Sequence, residues 1–290
     1  MKKLNILFIP EKLRWKISIR CWAVAILPLA ELCMSAPIVA ILNLSLSVVT
    51  AAFVPLVVTN MPWNALPICL FKLVNVAHRH CVFTIDENLR DFFLHDRSLL
   101  NCLFHAVNSV ISRMFFKLNK SKNFTPGFIM VLHTFGRDLK WNPHIHCLLS
   151  EGGFSDDGFW RHVSHFNYSY LRNAFRTALL NEMHSKIGPS FKKVKAQCYT
   201  QHKQGFYVYA KPNLCDPKVV AKYIGRYLGR PVIATSRIDR YDGDTVTFHY
   251  NRHEDEQYVE ETLPAIDFIK RLIRHIPEKH FKIIRYGGLY

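Results

Sequence analysis

A strand–turn–strand segment at residues 127–151 places the strongest limit on the fold. "GFIMVLHTF" (127–135) and "HIHCLLSE" (144–151) are apolar, strand-like runs, and the residues between them include Gly, Asp, Asn and Pro. Two such runs joined by turn residues predict a β-hairpin. Side chains two positions apart in a strand share one face, so His144 and His146 project together while Ile145 points to the other side.

The chain from Lys72 onward alternates strand-like and helix-like patterns, which predicts one α+β domain over residues 72–290. Further strands are predicted at 80–85, 205–212 and 245–251. Helical spacing of apolar residues predicts helices at 97–118, about 159–186, 215–228 and 263–276.

Residues 1–71 have a different composition. Residues 1–20 contain six Lys or Arg and one acidic residue, and Glu31 is the only charged residue from Trp22 to Phe71. The apolar run at 37–58 reaches the ~20 residues that a membrane span needs, and the stretch is too long for a signal peptide. A membrane-anchored, DNA-binding protein without catalysis is therefore one interpretation left open.

The charge of the chain indicates its class of binding partner, and its cysteines indicate the redox state of its compartment. The formal net charge is +16, with 38 Lys or Arg against 22 Asp or Glu, which favours a polyanion such as nucleic acid. The eight cysteines include no C-x-x-C pair, which is typical of reduced thiols in a cytoplasmic protein and not of a disulfide or zinc framework.

His144 and His146 are candidate metal ligands. Two neutral imidazoles on one strand face make half of a divalent-metal site. A His-x-His pattern is weak by itself, and on spacing alone two structural histidines on a half-buried strand are the favoured interpretation.

The segment "DPKVVAKYIGRYLGRP" (216–231) begins with a helix-start signal and ends with Gly and Pro. Tyr223 and Tyr227 are four residues apart and share a helix face. A second series at the same spacing consists of Lys222, Arg226 and Arg230. Taken alone, the pattern favours core tyrosines beside solvated basic residues. Together with a metal, the tyrosines could act as nucleophiles on a phosphodiester, with the cation offsetting charge and the basic residues holding phosphates.

Four motifs carry a family resemblance over about residues 73–290: "HTFGRDLKWNPHIHCLLSEGG", "FYVYAKP", "VVAKYIGRYLGRPVIATSRI" and "FIKRLIRHIPEKHFKIIRYGGLY". They resemble the rolling-circle, two-tyrosine HUH (His-hydrophobic-His) transposases of the IS ninety-one type. The resemblance implies an HUH endonuclease-like antiparallel sheet flanked by helices. It also implies cytoplasmic cleavage of single-stranded DNA through 5′-phosphotyrosine intermediates, without a nucleotide cofactor.

The same resemblance assigns site residues. It makes His144 and His146 ligands of Mg²⁺ or Mn²⁺, and Tyr223 and Tyr227 the nucleophiles. A third ligand is usual, and His133 is the candidate, because it lies on the preceding strand where it could sit beside His144. Asp138 in the turn is a weaker candidate. Lys222, Arg226, Arg230 and Arg237 are candidate contacts to DNA phosphates.

The N-terminal segment departs from the family pattern. These transposases carry an N-terminal zinc-binding domain built on C-x-x-C pairs, and its zinc site is absent from this sequence. A shifted reading frame could restore C-x₂-C-G … C-x₄-C-x₂-C-G, a spacing typical of zinc ribbons, because a Val or Ala stands wherever a shifted cysteine codon needs one. The five positions are Ala36, Val39, Val49, Val54 and Val57. The hypothesis is that residues 1–71 are a frame-shifted remnant of that domain. Under this hypothesis the apolar segment was not selected to span a membrane, and the transposase could be inactive. A replication initiator with the same chemistry is the alternative enzyme.

Overall fold

A six-stranded antiparallel sheet forms the centre of the described protein. The computed structural model describes residues 74–118, 120, 124–163, 166–214, 232–252 and 255–290. Its strands are β1 (His78–Phe83), β2 (Phe124–Phe135), β3 (Trp141–Ser155), β4 (Trp160–His162), β5 (Val208–Leu214) and β9 (Ile284–Gly288). Their order in the sheet is β5-β1-β3-β2-β9, with β4 paired to β3.

The β2–β3 hairpin supplies the two central strands. Its register pairs His133 with His144 and Val131 with His146. The connecting turn is closed by Asp138, whose carboxylate accepts a hydrogen bond from the Lys140 backbone N–H at 3.1 Å. Leu139 takes a left-handed φ of 61° there. The hairpin predicted from the sequence is confirmed.

Helices cover one face of this sheet. They are α1 (Glu87–His95), α2 (Leu100–Leu118), α3 (Tyr168–Ile187) and α4 (Lys192–Gln201). The covered face presents alternate residues such as Phe83, Ile145 and Cys147, all fully buried in one apolar cluster. Burial of this cluster stabilises the fold, since apolar surface contributes about 25 cal/mol per Å² removed from water.

Helix α2 is on average the most apolar of the helices in the described part of the chain. With its preceding 3₁₀ turn it forms Arg97–Leu118, the one helical stretch among the described residues that is long and apolar enough to cross a membrane by length and composition. Ten of its side chains, including Leu103, Val107 and Ile111, are buried in the protein. Helix α2 is therefore buried in the way that a core helix of a folded domain is.

A smaller sheet with its own core lies beside the hairpin turn. It contains β6 (Ile238–Tyr241), β7 (Thr245–Asn251) and β8 (Tyr258–Pro264), followed by α5 (Ala265–Ile273). Leu139 of the hairpin turn packs into this second cluster with Phe248 and Phe268. His275, just after α5, is hydrogen-bonded through Nε2 to the Leu139 carbonyl oxygen at 2.9 Å.

The α+β class and the antiparallel sheet flanked by helices are confirmed, and one helix boundary is wrong. The predicted helix at 159–186 begins only at Tyr168, where the Asn167 side chain accepts from the Tyr170 N–H. Residues Trp160–His162 form β4 instead. Trp160 pairs with Phe154, and its ring occupies the space that a side chain at position 152 would fill. The helix predicted at 215–228 lies outside the described residues.

Candidate metal centre

Three histidines of the β2–β3 hairpin converge on the sheet face opposite helices α1–α4. His133 and His144 are direct cross-strand partners, and His146 lies two residues further along β3. Their ligand nitrogens all lie within 4.8 Å of one another. The Nε2 atoms of His144 and His146 are 3.0 Å apart. The hairpin therefore brings together the three residues predicted as ligands, although their binding of a metal stays a prediction.

Hydrogen bonds at the Nδ1 atoms orient two of the rings. His144 Nδ1 donates to the Asn142 carbonyl oxygen at 2.7 Å, which makes its Nε2 the unprotonated, lone-pair nitrogen of the neutral ring. His146 Nδ1 lies 2.9 Å from Nε2 of His80, whose ring is stacked on it at an interplanar angle of 6°. When a ligating histidine binds metal through one nitrogen, its other ring N–H usually donates to such a partner.

Burial keeps His144 in the form that can bind a cation. Desolvation lowers the pKa of His144 most, the positive charge of Arg90 lowers it further, and the Asn142 hydrogen bond opposes both. A lowered pKa favours the neutral imidazole, which is the ligating form. His133 is 8% exposed, so the site is shielded from bulk water on the β2 side.

His80, Asn142 and Arg90 are site residues that the sequence reasoning missed. His80 comes from β1, and its register partner is Leu148, two residues after His146. The signal available for it was the second His-x-His pattern, "HRH" at 78–80. Among the described residues, Arg90 Nε and Asn142 Oδ1 are buried without hydrogen-bond partners, so both retain bonding capacity near His144.

Of the other residues predicted for the site, the structure describes Asp138 and Arg237. Asp138 is not part of the histidine cluster, and its carboxylate instead holds the hairpin turn. Arg237 donates from Nε to the His249 carbonyl oxygen at 2.8 Å and from a terminal nitrogen to that of Arg137. A DNA contact by Arg237 stays a prediction. Outside the described residues lie Lys222, Tyr223, Arg226, Tyr227 and Arg230.

The fold and the converging imidazoles define an α+β protein with a candidate divalent-metal centre on one face of an antiparallel sheet. A family model described as "Putative transposase" matches residues 127–290, which is more than half of the chain. The chain belongs to this transposase family, of the IS ninety-one type.

Two relatives agree with this membership. The chain is 31% identical over 231 residues to "Transposase for insertion sequence element IS801" of Pseudomonas savastanoi pv. phaseolicola, covering 75% of this chain and 55% of the relative. It is 28% identical over 240 residues to "Putative transposase y4qJ" of Sinorhizobium fredii (strain NBRC 101917 / NGR234), covering 75% and 59%. The chain therefore spans less than two thirds of either relative. No solved structure matches it significantly.

Proposed function

We propose that this protein is a DNA transposase that nicks and rejoins single-stranded DNA through 5′-phosphotyrosine intermediates, using a divalent cation held by His133, His144 and His146. The observation that carries the proposal is the convergence of three ligand nitrogens within 4.8 Å on one sheet face of a transposase-family chain. The net charge of +16 suits a polyanionic substrate.

The donor set fits a divalent cation. The Nδ1 hydrogen bond of His144 leaves the lone pair on its Nε2, and the Nδ1 contact of His146 leaves its Nε2 directed at the same point. Mg²⁺ prefers an all-oxygen set and keeps its waters, whereas transition-metal ions accept imidazole nitrogen readily. Of the two cations expected, the three imidazoles favour Mn²⁺. A bound cation supplies positive charge against the charge that develops on the phosphodiester oxygens.

The proposed nucleophiles are Tyr223 and Tyr227. The phenolic oxygen of one tyrosine attacks phosphorus, the bond from phosphorus to the 3′ oxygen breaks, the phenol proton is lost and the released 3′ oxygen takes up a proton. The phosphotyrosine conserves the energy of the broken bond, so a later attack by a 3′-hydroxyl can rejoin a strand and return the phenol. The second tyrosine permits a second cleavage before the first intermediate is released.

A cleavage assay with single-stranded oligonucleotides carrying the ends of the element tests the proposal. Wild-type protein with Mn²⁺ is expected to give a covalent protein–DNA adduct that denaturing electrophoresis resolves. Tyr223→Phe and Tyr227→Phe are each expected to reduce adduct formation, and the double variant to abolish it. Tyr258→Phe is the matched control, because Tyr258 is an exposed tyrosine of the smaller sheet.

Two results would contradict separate parts of the proposal. An adduct that persists in the Tyr223→Phe, Tyr227→Phe double variant would exclude these nucleophiles. Adduct formation by His144→Ala at the wild-type rate and the wild-type Mn²⁺ requirement would exclude the histidine centre. Calorimetric titration with Mn²⁺ tests the histidine centre independently of DNA.

A further inference from the structure

Two exposed tyrosines stand on the same sheet face as the histidine centre. Tyr207 directly precedes β5, which is an edge strand among the described residues, and Tyr209 is the second residue of that strand. Their side chains are 56% and 46% exposed. Val208 between them is buried in the core on the opposite face. Because strand side chains alternate, both tyrosines point away from that core. Single exposed apolar side chains are ordinary on a protein surface, whereas neighbouring exposed rings form a contiguous patch of the kind that marks binding sites.

The strand register fixes where this pair lies relative to the metal centre. Tyr209 pairs with Val82 of β1, and Val82 pairs with His146 of β3. Directly opposed residues in antiparallel strands share a face, and each strand-to-strand step is about 4.8 Å. Tyr209 therefore lies about 10 Å from His146 on this face. Val82, which is half-buried, lies between them in the strand pairing.

Backbone and charge contacts hold Tyr207 in line with this row. Both the Thr84 N–H and the Thr84 hydroxyl donate to the Tyr207 carbonyl oxygen, at 3.1 and 2.9 Å, and so extend the β1–β5 ladder by one residue. The guanidinium carbon of Arg172 lies 5.2 Å from the centre of the Tyr207 ring. The pair thus combines aromatic rings, about 7 Å apart along the strand, with a guanidinium beside one of them.

We propose that Tyr207 and Tyr209 form a base-stacking platform that binds the single-stranded DNA leading into the metal centre. The inference rests on the proposed function and adds where the substrate strand is held. Single-strand-binding surfaces combine aromatic rings, on which bases stack, with basic groups that follow the phosphates. At the ~3.4 Å rise of a stacked strand, about three nucleotides reach from Tyr209 to the histidines.

Fluorescence anisotropy with a labelled oligothymidylate of about 12 nucleotides, a length within the range that such surfaces cover, tests the platform. Binding is measured in EDTA at one fixed salt concentration, so cleavage and metal do not contribute. Tyr209→Leu is expected to bind at least about fivefold more weakly, since each lost base stack has an effect of that size or larger. Tyr209→Phe, which keeps the ring, is expected to retain wild-type affinity, and duplex binding is expected to be unchanged in all variants.

Phe159→Leu is the matched control. Phe159 is 70% exposed but follows the far end of β3, about 30 Å from His146 at ~3.3 Å per strand residue. Wild-type affinity of both Tyr209→Leu and the double variant Tyr207→Leu, Tyr209→Leu for the single strand would overturn the platform. So would an equal loss on single and double strands, or no binding by the wild-type protein. If adduct formation still depends on Tyr223 and Tyr227 in that case, the platform is rejected and the proposed function is retained.

Discussion

Replacement of His80 by alanine should weaken divalent-metal binding without removing a ligand. In the structure, His80 Nε2 lies 2.9 Å from His146 Nδ1, and the His80 ring is only 8% exposed. Once His146 binds through Nε2, its Nδ1–H needs an acceptor, and His80 is placed to be that acceptor. Alanine leaves this donor unpaired in a mostly buried position.

The expected magnitude follows from two estimates. A buried donor left without its partner costs about 1–3 kcal/mol, which corresponds to about 5–150-fold in a dissociation constant. Loss of a group that orients a ligating histidine typically costs about 10–100-fold in metal affinity. We therefore expect His80→Ala to bind Mn²⁺ about 10–100-fold more weakly than the wild-type protein.

The assay is a Mn²⁺ titration followed by calorimetry or by the electron paramagnetic resonance signal of the free ion. His80→Gln should recover most of the affinity, because its side-chain carbonyl can accept the same hydrogen bond. His162→Gln is the matched control, an exposed histidine on β4. If His80→Ala binds Mn²⁺ like the wild type while His144→Ala does not, the orienting role of His80 is refuted.

Two further predictions concern the smaller core and the N-terminal segment. Burial lowers the pKa of His275 from 6.5 to about 4. As the pH falls, the imidazole is therefore protonated in the unfolded chain before it is protonated in the folded protein. Its contribution to the free energy of unfolding is highest above pH 6.5 and decreases as the pH falls toward 4. Urea titrations at pH 7 and 5 should therefore show a pH-dependent loss about 2 kcal/mol smaller in His275→Gln than in the wild type, and equal losses would contradict this. The nucleotide sequence of the gene should give cysteine codons in the shifted frame at the five Val and Ala positions named above, and other codons there would exclude the frame-shift hypothesis.

The main hairpin was predictable because all of its information is local. Two apolar runs and a turn fix the pairing of β2 with β3, and that pairing alone places His133 opposite His144. The period-two alternation then puts His146 on the same face. Local pattern therefore accounts for the three histidines of the candidate centre.

The parts that were missed depend on pairing between distant segments. His80 reaches His146 only because β1 pairs with β3, 66 residues away along the chain, and no turn signal encodes that pairing. Strand β4 was read as helix because three residues carry too little pattern to show a period. Its pairing depends on Gly152, whose missing side chain leaves room for Trp160.

The geometry of the candidate metal centre depends on the apolar core that packs on the opposite face of the main sheet. Along β3, His144 and His146 alternate with Ile145 and Cys147, which are fully buried on the other face. A register slip of one residue would exchange these sets, putting imidazoles into the apolar core and aliphatic groups at the metal position. Burying two imidazoles without partners costs several kcal/mol, so the core itself selects the register in which the histidines converge. The geometry of the centre is thus set by the same energy that folds the sheet, and only the orientation of the rings requires the additional contacts from Asn142 and His80.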